Sequence, residues 1–385
     1  MTRFLRIALA LVVLVGLASA CRPRAEAVFV YVGTSTGDPE NGIHVLRFDP
    51  EDGSLAAAPL PVAPVPNPSF LALAPDGRTL YAVREVDDGG VAVFRRDPGS
   101  GALTALGRGS SGGAGPAHLS VHPTGRWLLV ANYGGGTVAL LPVGDDGIPG
   151  EPVDVVRYEG GGPDPVRQEA PHPHYIRTAP DGRQVLVADL GTDRVIAYPQ
   201  TGSDTLALDP DRAVVTRTTP GAGPRHLAFA PGGAVAYLVN ELHGSVTAWS
   251  YDGARGTLDA LQTVSTLPDG FAGENYSAAI HVHPAGRWLY VSNRGDFDSI
   301  AWFAIDARTG RLELRGHQRE GITWPRSFAF HPDGRWLLVA NRRAGEVRVF
   351  AVDPGTGALT ATDERATIPE PTHVLLAPEA LRAGP

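Results

Sequence analysis

The sequence predicts an all-β fold, a seven-bladed β-propeller with ring closure between its N- and C-terminal strands. This prediction depends on a repeat of about fifty residues, on short runs typical of strands, and on an unpaired strand copy at each end. The 385 residues are 43% hydrophobic, and a repeat array can use such a length in one domain. No segment shows a helical period of useful length.

Six turns of similar sequence mark the repeat. Each combines a Pro, which presets φ, with a Gly that tolerates positive φ, as hairpin turns require. Successive turn glycines are 48, 57, 51, 53 and 48 residues apart. The turns are APDGR (74–78), HPTGR (122–126), APDGR (179–183), APGGA (230–234), HPAGR (283–287) and HPDGR (331–335).

Strand-like runs rich in Val, Leu, Tyr and Trp flank every turn. A seventh copy of the first strand, PTHVLLAP (371–378), stands at the C-terminus without a partner. A seventh copy of the second strand, VFVYVG (28–33), stands alone near the N-terminus. Pairing these two strands gives seven blades and removes the exposed edges of an open array, so we assign residues 28–378 to the propeller.

The N-terminal residues are typical of an export signal. A basic start, a short apolar stretch and a small-residue cleavage site precede Cys21, the single cysteine of the chain. The pattern is similar to a bacterial lipobox, although Ala18 stands where Leu is usual, so we predict a lipid anchor at Cys21. Ordinary signal-peptide cleavage is the alternative, and both place the protein in the cell envelope or periplasm. The predicted organisation is a signal peptide at 1–20, a linker at 21–27, the propeller at 28–378 and a tail at 379–385.

Composition excludes several classes of function. The formal net charge is −8 and the basic residues are scattered, so we expect no nucleic-acid partner. All 33 basic residues are Arg, which excludes Schiff-base lysine chemistry and a P-loop lysine. One cysteine allows no intrachain disulfide, and beyond the leader no segment is long and apolar enough for a membrane helix, so the predicted membrane contact is the anchor alone.

The topology of a propeller sorts polar residues onto two faces. Starts of first strands and ends of second strands meet on one face near the channel, and the Gly turns lie on the other. His122, His283 and His331 repeat with the turns, so we interpret them as turn-packing residues. The residues expected on the channel face differ between blades, which favours a site there. They are His118, His174, Arg225, His226, Arg326 and His373 from first strands, and Arg84, Glu85, Asn132, Tyr133, Asp189, Glu241, Arg294 and Arg342 from second strands.

Two histidine pairs have the spacing of metal ligands, His172 with His174 and His281 with His283. On a strand, one member of each pair would face the channel, and no carboxylate follows at ligand spacing. We therefore predict neither a metal nor a cofactor.

Arg225 and Glu241 belong to one blade and the same face. A lone rim His is usually a solvated residue, and an Arg beside a Glu is usually a salt bridge. Together with a facing His, however, this pair supplies the groups that carbonyl hydrolysis needs. These are a base for water, a cation for the oxyanion and a second titratable group for the leaving alkoxide.

The segment GAGPRHLAFAPGGAVAYLVNELHGSVTAW (221–249) resembles the corresponding part of bacterial propeller-type 6-phosphogluconolactonases. GPRH followed by VNEL is the most specific part of the match. Residues 173–198, 277–303 and 324–341 fit the same family, so the resemblance spans essentially the mature chain. Fungal carboxy-muconate lactonizing enzymes share the fold and the cluster.

The resemblance implies a lactonase whose site residues fall on the face that the topology selects. His174 or Glu241 would be the general base, and Arg225 would stabilise the tetrahedral oxyanion. A Glu near Arg is normally too acidic to be a strong base, but the choice stays open. The residues expected to contact the substrate are Arg294, which would hold its carboxylate or phosphate, and His226 and Arg326.

The substrate class follows from the family and the export signal together. Family lactonases of the pentose phosphate route work in the cytoplasm, where their phosphorylated substrate occurs. We therefore expect a sugar lactone that is either 6-phosphogluconolactone-like or an unphosphorylated aldonolactone. The alternative function is a non-catalytic envelope propeller that serves as a binding or assembly scaffold. The sequence indicates no oligomeric state.

Overall fold

The computed structural model describes residues 28–200, 202 and 205–378. Within these residues, the strands form seven four-stranded antiparallel sheets, which confirms the predicted seven-bladed propeller. The described part also contains three single-turn 3-10 helices, at Pro39–Asn41, Leu190–Thr192 and Pro210–Arg212. The signal peptide, the linker with Cys21 and the tail lie outside the described residues and stay predictions.

The strands follow one another from the channel outwards in each blade. Blade 1 contains Val28–Thr34 (β1), His44–Phe48 (β2), Leu55–Ala57 (β3) and the C-terminal Pro371–Pro378 (β28). Blade 2 consists of Leu71–Leu73 (β4), Thr79–Val83 (β5), Val91–Arg96 (β6) and Leu103–Gly109 (β7). Blade 3 consists of Pro116–Val121 (β8), Trp127–Asn132 (β9), Thr137–Pro142 (β10) and Asp154–Arg157 (β11). Blade 4 consists of Pro173–Thr178 (β12), Gln184–Asp189 (β13), Arg194–Pro199 (β14) and Val214–Arg217 (β15). Blade 5 consists of Pro224–Phe229 (β16), Val235–Asn240 (β17), Ser245–Asp252 (β18) and Thr257–Ser265 (β19). Blade 6 consists of Asn275–Val282 (β20), Trp288–Gly295 (β21), Ser299–Ile305 (β22) and Leu312–Gln318 (β23). Blade 7 consists of Pro325–Phe330 (β24), Trp336–Asn341 (β25), Glu346–Val352 (β26) and Leu359–Thr367 (β27).

The two terminal strands close the ring. Strand β28 pairs antiparallel with β1, placing Ala377 opposite Phe29 and Val374 opposite Val32. Each of these strands would otherwise present an open edge of unpaired backbone groups. The pairing confirms the predicted closure, and it means that the C-terminal end of the chain supplies the inner strand of blade 1.

Burial explains the different sequence patterns of inner and outer strands. Strands β5 and β13 are buried at every position, because neighbouring blades cover both faces of the sheet. Such strands are nearly continuous in Val, Leu and Ala. The outer strands β11 and β15 alternate between half-buried and exposed residues, as expected where one face meets solvent.

Hydrogen bonds from second-strand aromatic residues tie each of several blades to the next. The hydroxyl of Tyr81 donates to the carbonyl of Gly147 at 2.8 Å, and that of Tyr237 to Gly310 at 3.0 Å. The other bonds of this kind are Tyr31 to Gly101, Tyr290 to Gly357 and Trp336 Nε1 to Pro50. Each acceptor lies in the outer hairpin of the following blade, so the bonds fix the spacing of blades around the ring.

The three turn histidines pack within their own turns. Nδ1 of His122 accepts from the backbone N–H of Thr124 at 3.2 Å, and Nδ1 of His283 accepts from Ala285 at 3.1 Å. His331 accepts in the same way from the residue two positions later. These bonds support the interpretation of the three residues as turn-packing groups.

Candidate active site

A cavity of about 230 Å³ lies in the channel at the face where the inner strands begin. Its walls include Arg225, His226 and Arg326, together with His118 and His373. A larger depression of about 690 Å³ lies on the opposite face among the Gly turns, but it brings together no comparable set of cations and imidazoles. The titratable residues therefore concentrate on the face that the topology predicted.

β-Bulges at the starts of inner strands place the predicted residues. In β12, Pro173 pairs with Asp189 and Tyr175 with Ala188, so His174 is the extra residue. The same shift makes Arg225 the extra residue in β16 and Arg326 in β24. Because a bulge leaves one residue out of the ladder, it can aim a side chain that a regular strand would point elsewhere. The Pro at each strand start is thus followed directly by a site residue.

Glu241 is the centre of an ion-pair cluster assembled from three parts of the chain. Its Oε2 lies 2.7 Å from Arg225 Nε and 3.2 Å from Arg294 Nη2, and its Oε1 lies 2.7 Å from Arg167 Nη2. Only 2% of Glu241 is exposed, and a buried carboxylate requires such compensation. The N–H groups of Arg225 Nε and Arg294 Nη2 are not aligned with Oε2 as hydrogen bonds, so these two contacts are ion pairs.

The cluster determines the charge of its members. Burial alone would raise the pKa of Glu241, but Arg294, Arg225 and Arg167 outweigh it and lower that pKa to about 2. Burial, only partly offset by Glu241, lowers the pKa of Arg294 to about 10 and that of Arg225 well below its usual value. At neutral pH Glu241 is therefore ionised, and its guanidinium neighbours stay protonated because arginine is not deprotonated in proteins.

Arg225 is held from two further sides. Its Nη1 donates to the carbonyl of Ala278 at 2.7 Å and lies 3.5 Å from Nε2 of His226. With its Nε beside Glu241, the guanidinium has a fixed position at the cavity wall. A cation fixed before the reaction stabilises developing negative charge without reorganising.

Three neutral imidazoles form a cluster at the cavity, where His118 and His226 line the wall and His174 packs against His226. The ring centres of His174 and His226 are 5.1 Å apart, and those of His118 and His226 are 5.3 Å apart. Burial and nearby arginines lower the pKa of all three well below the usual value, so they are unprotonated at neutral pH. His174 is 4% exposed, and its buried Nδ1 has no hydrogen-bond partner among the described residues.

Arg167 was missed by the sequence analysis. It lies in the long connection between β11 and β12, where Oδ1 of Asp164 accepts from the backbone N–H groups of Val166 and Arg167 at 2.9 Å each. Gln168 then anchors the connection by donating to Asp193 Oδ1 at 2.8 Å. One signal was available: the widest spacing between turn glycines, 57 residues, contains this insertion.

Several residues that the sequence grouped with the site belong to the scaffold instead. Asn132 is fully buried and donates to the carbonyl of Ser111 at 2.8 Å, and Asp189 accepts from the backbone of His172 at 2.7 Å. Asn293 and Asn341 occupy the equivalent positions in their strands and make corresponding bonds. This recurrence in several blades was the signal for a structural role.

The two histidine pairs of the sequence do not form metal sites. His172 stacks on Tyr133 with ring centres 4.3 Å apart and contacts Glu169, whereas the ring of His174 packs against His226. His283 is engaged in its turn, away from His281. Across residues 28–200, 202 and 205–378, no group of three or more His, Cys, Asp and Glu side chains is arranged to hold a metal ion.

Comparison with known proteins identifies the family. Residues 29–376 match the family model described as lactonase, 7-bladed beta-propeller. The chain belongs to this lactonase family. It is 36% identical to the 6-phosphogluconolactonase of Bacillus subtilis over 352 residues, which cover 89% of this chain and 97% of that protein.

Solved structures agree with this assignment. The periplasmic gluconolactonase of Pseudomonas aeruginosa is 36% identical, with a TM-score of 0.85 over 92% of this chain and all of that one. A protein from Lactobacillus plantarum is 31% identical, with a TM-score of 0.82 over 91% of this chain and 99% of that one. The propeller is therefore a lactone-hydrolysing enzyme, and the scaffold alternative is not favoured. Kinship with fungal carboxy-muconate lactonizing enzymes stays a prediction.

Among the residues that the structure covers, no helix has the length and apolarity to cross a membrane.

Proposed function

We propose that the chain opens a sugar lactone to the corresponding acid at the cluster of His174, Arg225 and Glu241. The observation that carries this proposal is the fixed guanidinium of Arg225 at the cavity wall, together with the neutral imidazole of His174, which packs against the cavity-lining His226 and has a buried Nδ1 without a hydrogen-bond partner in the described chain. The first group can hold an oxyanion and the second can take a proton from water.

His174 is the proposed general base. Glu241 has a pKa of about 2 and faces three guanidinium groups, so its affinity for a proton is low. His174 is neutral at physiological pH, and its buried Nδ1 has no hydrogen-bond partner in the described chain, so this atom is available to accept a proton. We therefore assign Glu241 the role of holding Arg225, Arg294 and Arg167 in place.

The proposed reaction has two steps. Water attacks the lactone carbonyl carbon while His174 accepts one of its protons, and Arg225 stabilises the oxyanion that forms. The tetrahedral intermediate then collapses, the bond between the carbonyl carbon and the ring oxygen breaks, and the protonated imidazole returns the proton to the leaving alkoxide. The product is a hydroxy acid, and His174 is neutral again.

Arg326 is a better candidate than Arg294 for contact with the substrate. Arg294 is 5% exposed and is engaged by Glu241 and by the carbonyl of Tyr276. Arg326 lines the cavity and makes no ion pair or hydrogen bond with the rest of the described chain. We therefore assign the polar or anionic end of the substrate to Arg326 and His226.

An unphosphorylated aldonolactone is the proposed substrate. The two relatives named for 6-phosphogluconolactone and for gluconolactone are equally similar to this chain, at 36% identity each. The predicted export signal and the periplasmic location of the second relative favour a lactone that is present outside the cytoplasm. We further propose that the protein is exported and held at the membrane through a lipid on Cys21.

A pH-stat assay with gluconolactone and with its 6-phosphate tests both the reaction and the substrate. We expect acid release above the spontaneous rate, with higher kcat/KM for gluconolactone, and at least a hundredfold lower kcat for Arg225→Ala. Spontaneous rates with both lactones, or an unchanged rate in Arg225→Ala, would overturn the proposal. A preference for the phosphate ester would retain the reaction and reject the substrate assignment.

The anchor has its own test. Cells given a clickable fatty-acid analogue should label the wild-type protein but not the Cys21→Ala variant. Equal labelling of both proteins, or recovery of unlabelled wild type in the soluble envelope fraction, would reject lipidation.

A further inference from the structure

At five blades a left-handed backbone residue precedes a Pro that stands at the start of the inner strand or, in blade 2, three residues before it. The residues are Asn67, Gly115, Gly223, Trp324 and Glu370, with φ values of 44°, 53°, 64°, 50° and 41°. Glycine adopts this conformation without strain, whereas a bulky side chain does so at an energetic cost. Because two blades use Gly, the fold itself does not require a Trp at position 324.

The carboxylate of Asp298 holds Trp324 in this conformation. Its Oδ2 accepts from the backbone N–H of Trp324 at 2.8 Å, and its Oδ1 accepts from that of Gly295 at 2.9 Å. Gly295 directly follows Arg294. One side chain thus fixes the end of β21 in blade 6 relative to the start of β24 in blade 7.

The indole ring lies against the arginine of the site. The guanidinium carbon of Arg294 is 6.0 Å from the centre of the Trp324 ring, and that of the exposed Arg343 is 3.4 Å from it. The ring of Tyr276, whose carbonyl accepts from Arg294 Nε, is 6.5 Å from the indole. A cation over an indole is attracted to it, and the ring also keeps water from the guanidinium.

We propose that Trp324, fixed by Asp298, is a positioning residue that holds Arg294 against Glu241 and thereby sets the geometry of the catalytic cluster. The strained backbone is retained at this blade because it places the indole beside Arg294. The inference rests on the proposed function, since it assumes that the cluster catalyses lactone hydrolysis. Backbone strain that persists beside a site residue such as Arg294 is a recurrent feature of functional regions.

Kinetics of Trp324→Gly test the proposal, because Gly is the natural residue at the same position in two blades. We expect a folded protein whose kcat on gluconolactone falls about tenfold or more, as the loosened Arg294 shifts relative to Glu241. Trp324→Phe keeps an aromatic face and should recover most of that activity. Asn67→Gly is the matched control, since it removes a left-handed side chain that bonds to Gly37 and Glu85 and to no member of the cluster, and it should retain wild-type kcat.

A double-mutant cycle distinguishes positioning from a general loss of structure. If Trp324 acts through Arg294, the Trp324→Gly change should have little further effect in an Arg294→Lys background. The single Trp324→Gly variant should also lose activity with added NaCl more steeply than the wild type, because its ion pair is more exposed.

The outcomes separate this inference from the proposed function. Wild-type kcat in Trp324→Gly, or additive effects in the cycle, would overturn the role of Trp324 while Arg225→Ala still tests the reaction. Wild-type kcat in both Arg225→Ala and Arg294→Lys would instead reject the proposed site as a whole.

Discussion

At Glu241, one buried carboxylate faces the guanidinium groups of Arg167, Arg225 and Arg294. The three arginines come from a connecting segment and from two different blades, so the carboxylate joins parts of the ring that share no sheet. Removing it would leave the cations to repel one another in a poorly solvated place. Glu241 therefore contributes both to the stability of the fold and to the geometry of the site.

Glu241→Gln should reduce both activity and stability. We expect kcat to fall at least a hundredfold and the free energy of unfolding to fall by about 3–5 kcal/mol, because buried cations lose their counter-charge. Acid release in a pH-stat and urea unfolding measure the two effects. Glu313→Gln, which removes an exposed surface pair with Arg315, should change neither, and equal effects in the two variants would contradict this role.

Acid should destabilise the protein in two stages. His118, His174, His226 and His373 have lowered pKa values in the folded state, so below about pH 6.5 the unfolded chain binds protons that the folded one does not. Stability is thus lost as the pH falls from 6.5. Glu241, whose pKa is lowered to about 2, adds a second loss that begins near pH 4.5.

Thermal unfolding between pH 8 and pH 4 measures this dependence. The pKa of His373 is lowered to about 3 by burial and by His281, so His373→Gln should make the decline below pH 6.5 shallower. An equally steep decline in that variant would exclude His373 as a contributor.

At the scale of elements, the bonds between neighbouring blades are the regular part of the structure. Tyr237 on β17 donates from a buried hydroxyl to Gly310 in the outer hairpin of the next blade. The inner-strand bulges are the irregular part, since they set His174, Arg225 and Arg326 out of the ladder. Regular elements therefore hold the blades in register, and bulges aim the side chains of the site.

Tyr237→Phe should destabilise the propeller without affecting catalysis. We expect about 1 kcal/mol of lost stability, because the buried carbonyl of Gly310 loses its donor, and an unchanged kcat. Urea unfolding with a parallel pH-stat assay measures both. Tyr251→Phe, which loses only a long and exposed contact with Asp181, should unfold at nearly the wild-type urea concentration.

At the scale of the whole molecule, the ring depends on the last strand. Strand β28 supplies the inner strand of blade 1 and contributes His373 to the cavity. Its loss would open the ring and expose the edge of β1, which is buried along its whole length. Closure therefore links the stability of the fold to the completeness of the channel.

Truncation before residue 371 should convert the protein to aggregates or to an unfolded state, because an open array exposes a long apolar edge. Truncation after residue 378 keeps β28 and should leave a folded protein. Size-exclusion chromatography and circular dichroism compare the two. A monomeric, folded product of the shorter chain would contradict the importance of closure.

Much of the fold could be predicted from the sequence, because turns and strands depend on the preferences of neighbouring residues. Each turn needs a Pro and a Gly, and each strand beside it needs apolar residues. These requirements act over a few residues and are visible in the sequence, so the seven blades and their closure could be predicted. The up-and-down topology of a blade then placed Arg225 and Glu241 on one face. Topology also placed His174 and Arg294 on that face, and the family resemblance then implied their roles.

Only the tertiary structure decided how the site is assembled. Arg167 reaches Glu241 from an insertion whose path no repeat determines, and Arg294 proves to be engaged by Glu241 rather than open to the cavity. Trp324 lies beside Arg294 because Asp298 bridges two blades. Turn and strand preferences are local and therefore visible in the sequence, whereas the pairing of buried charges depends on distances between segments that meet only in the closed ring.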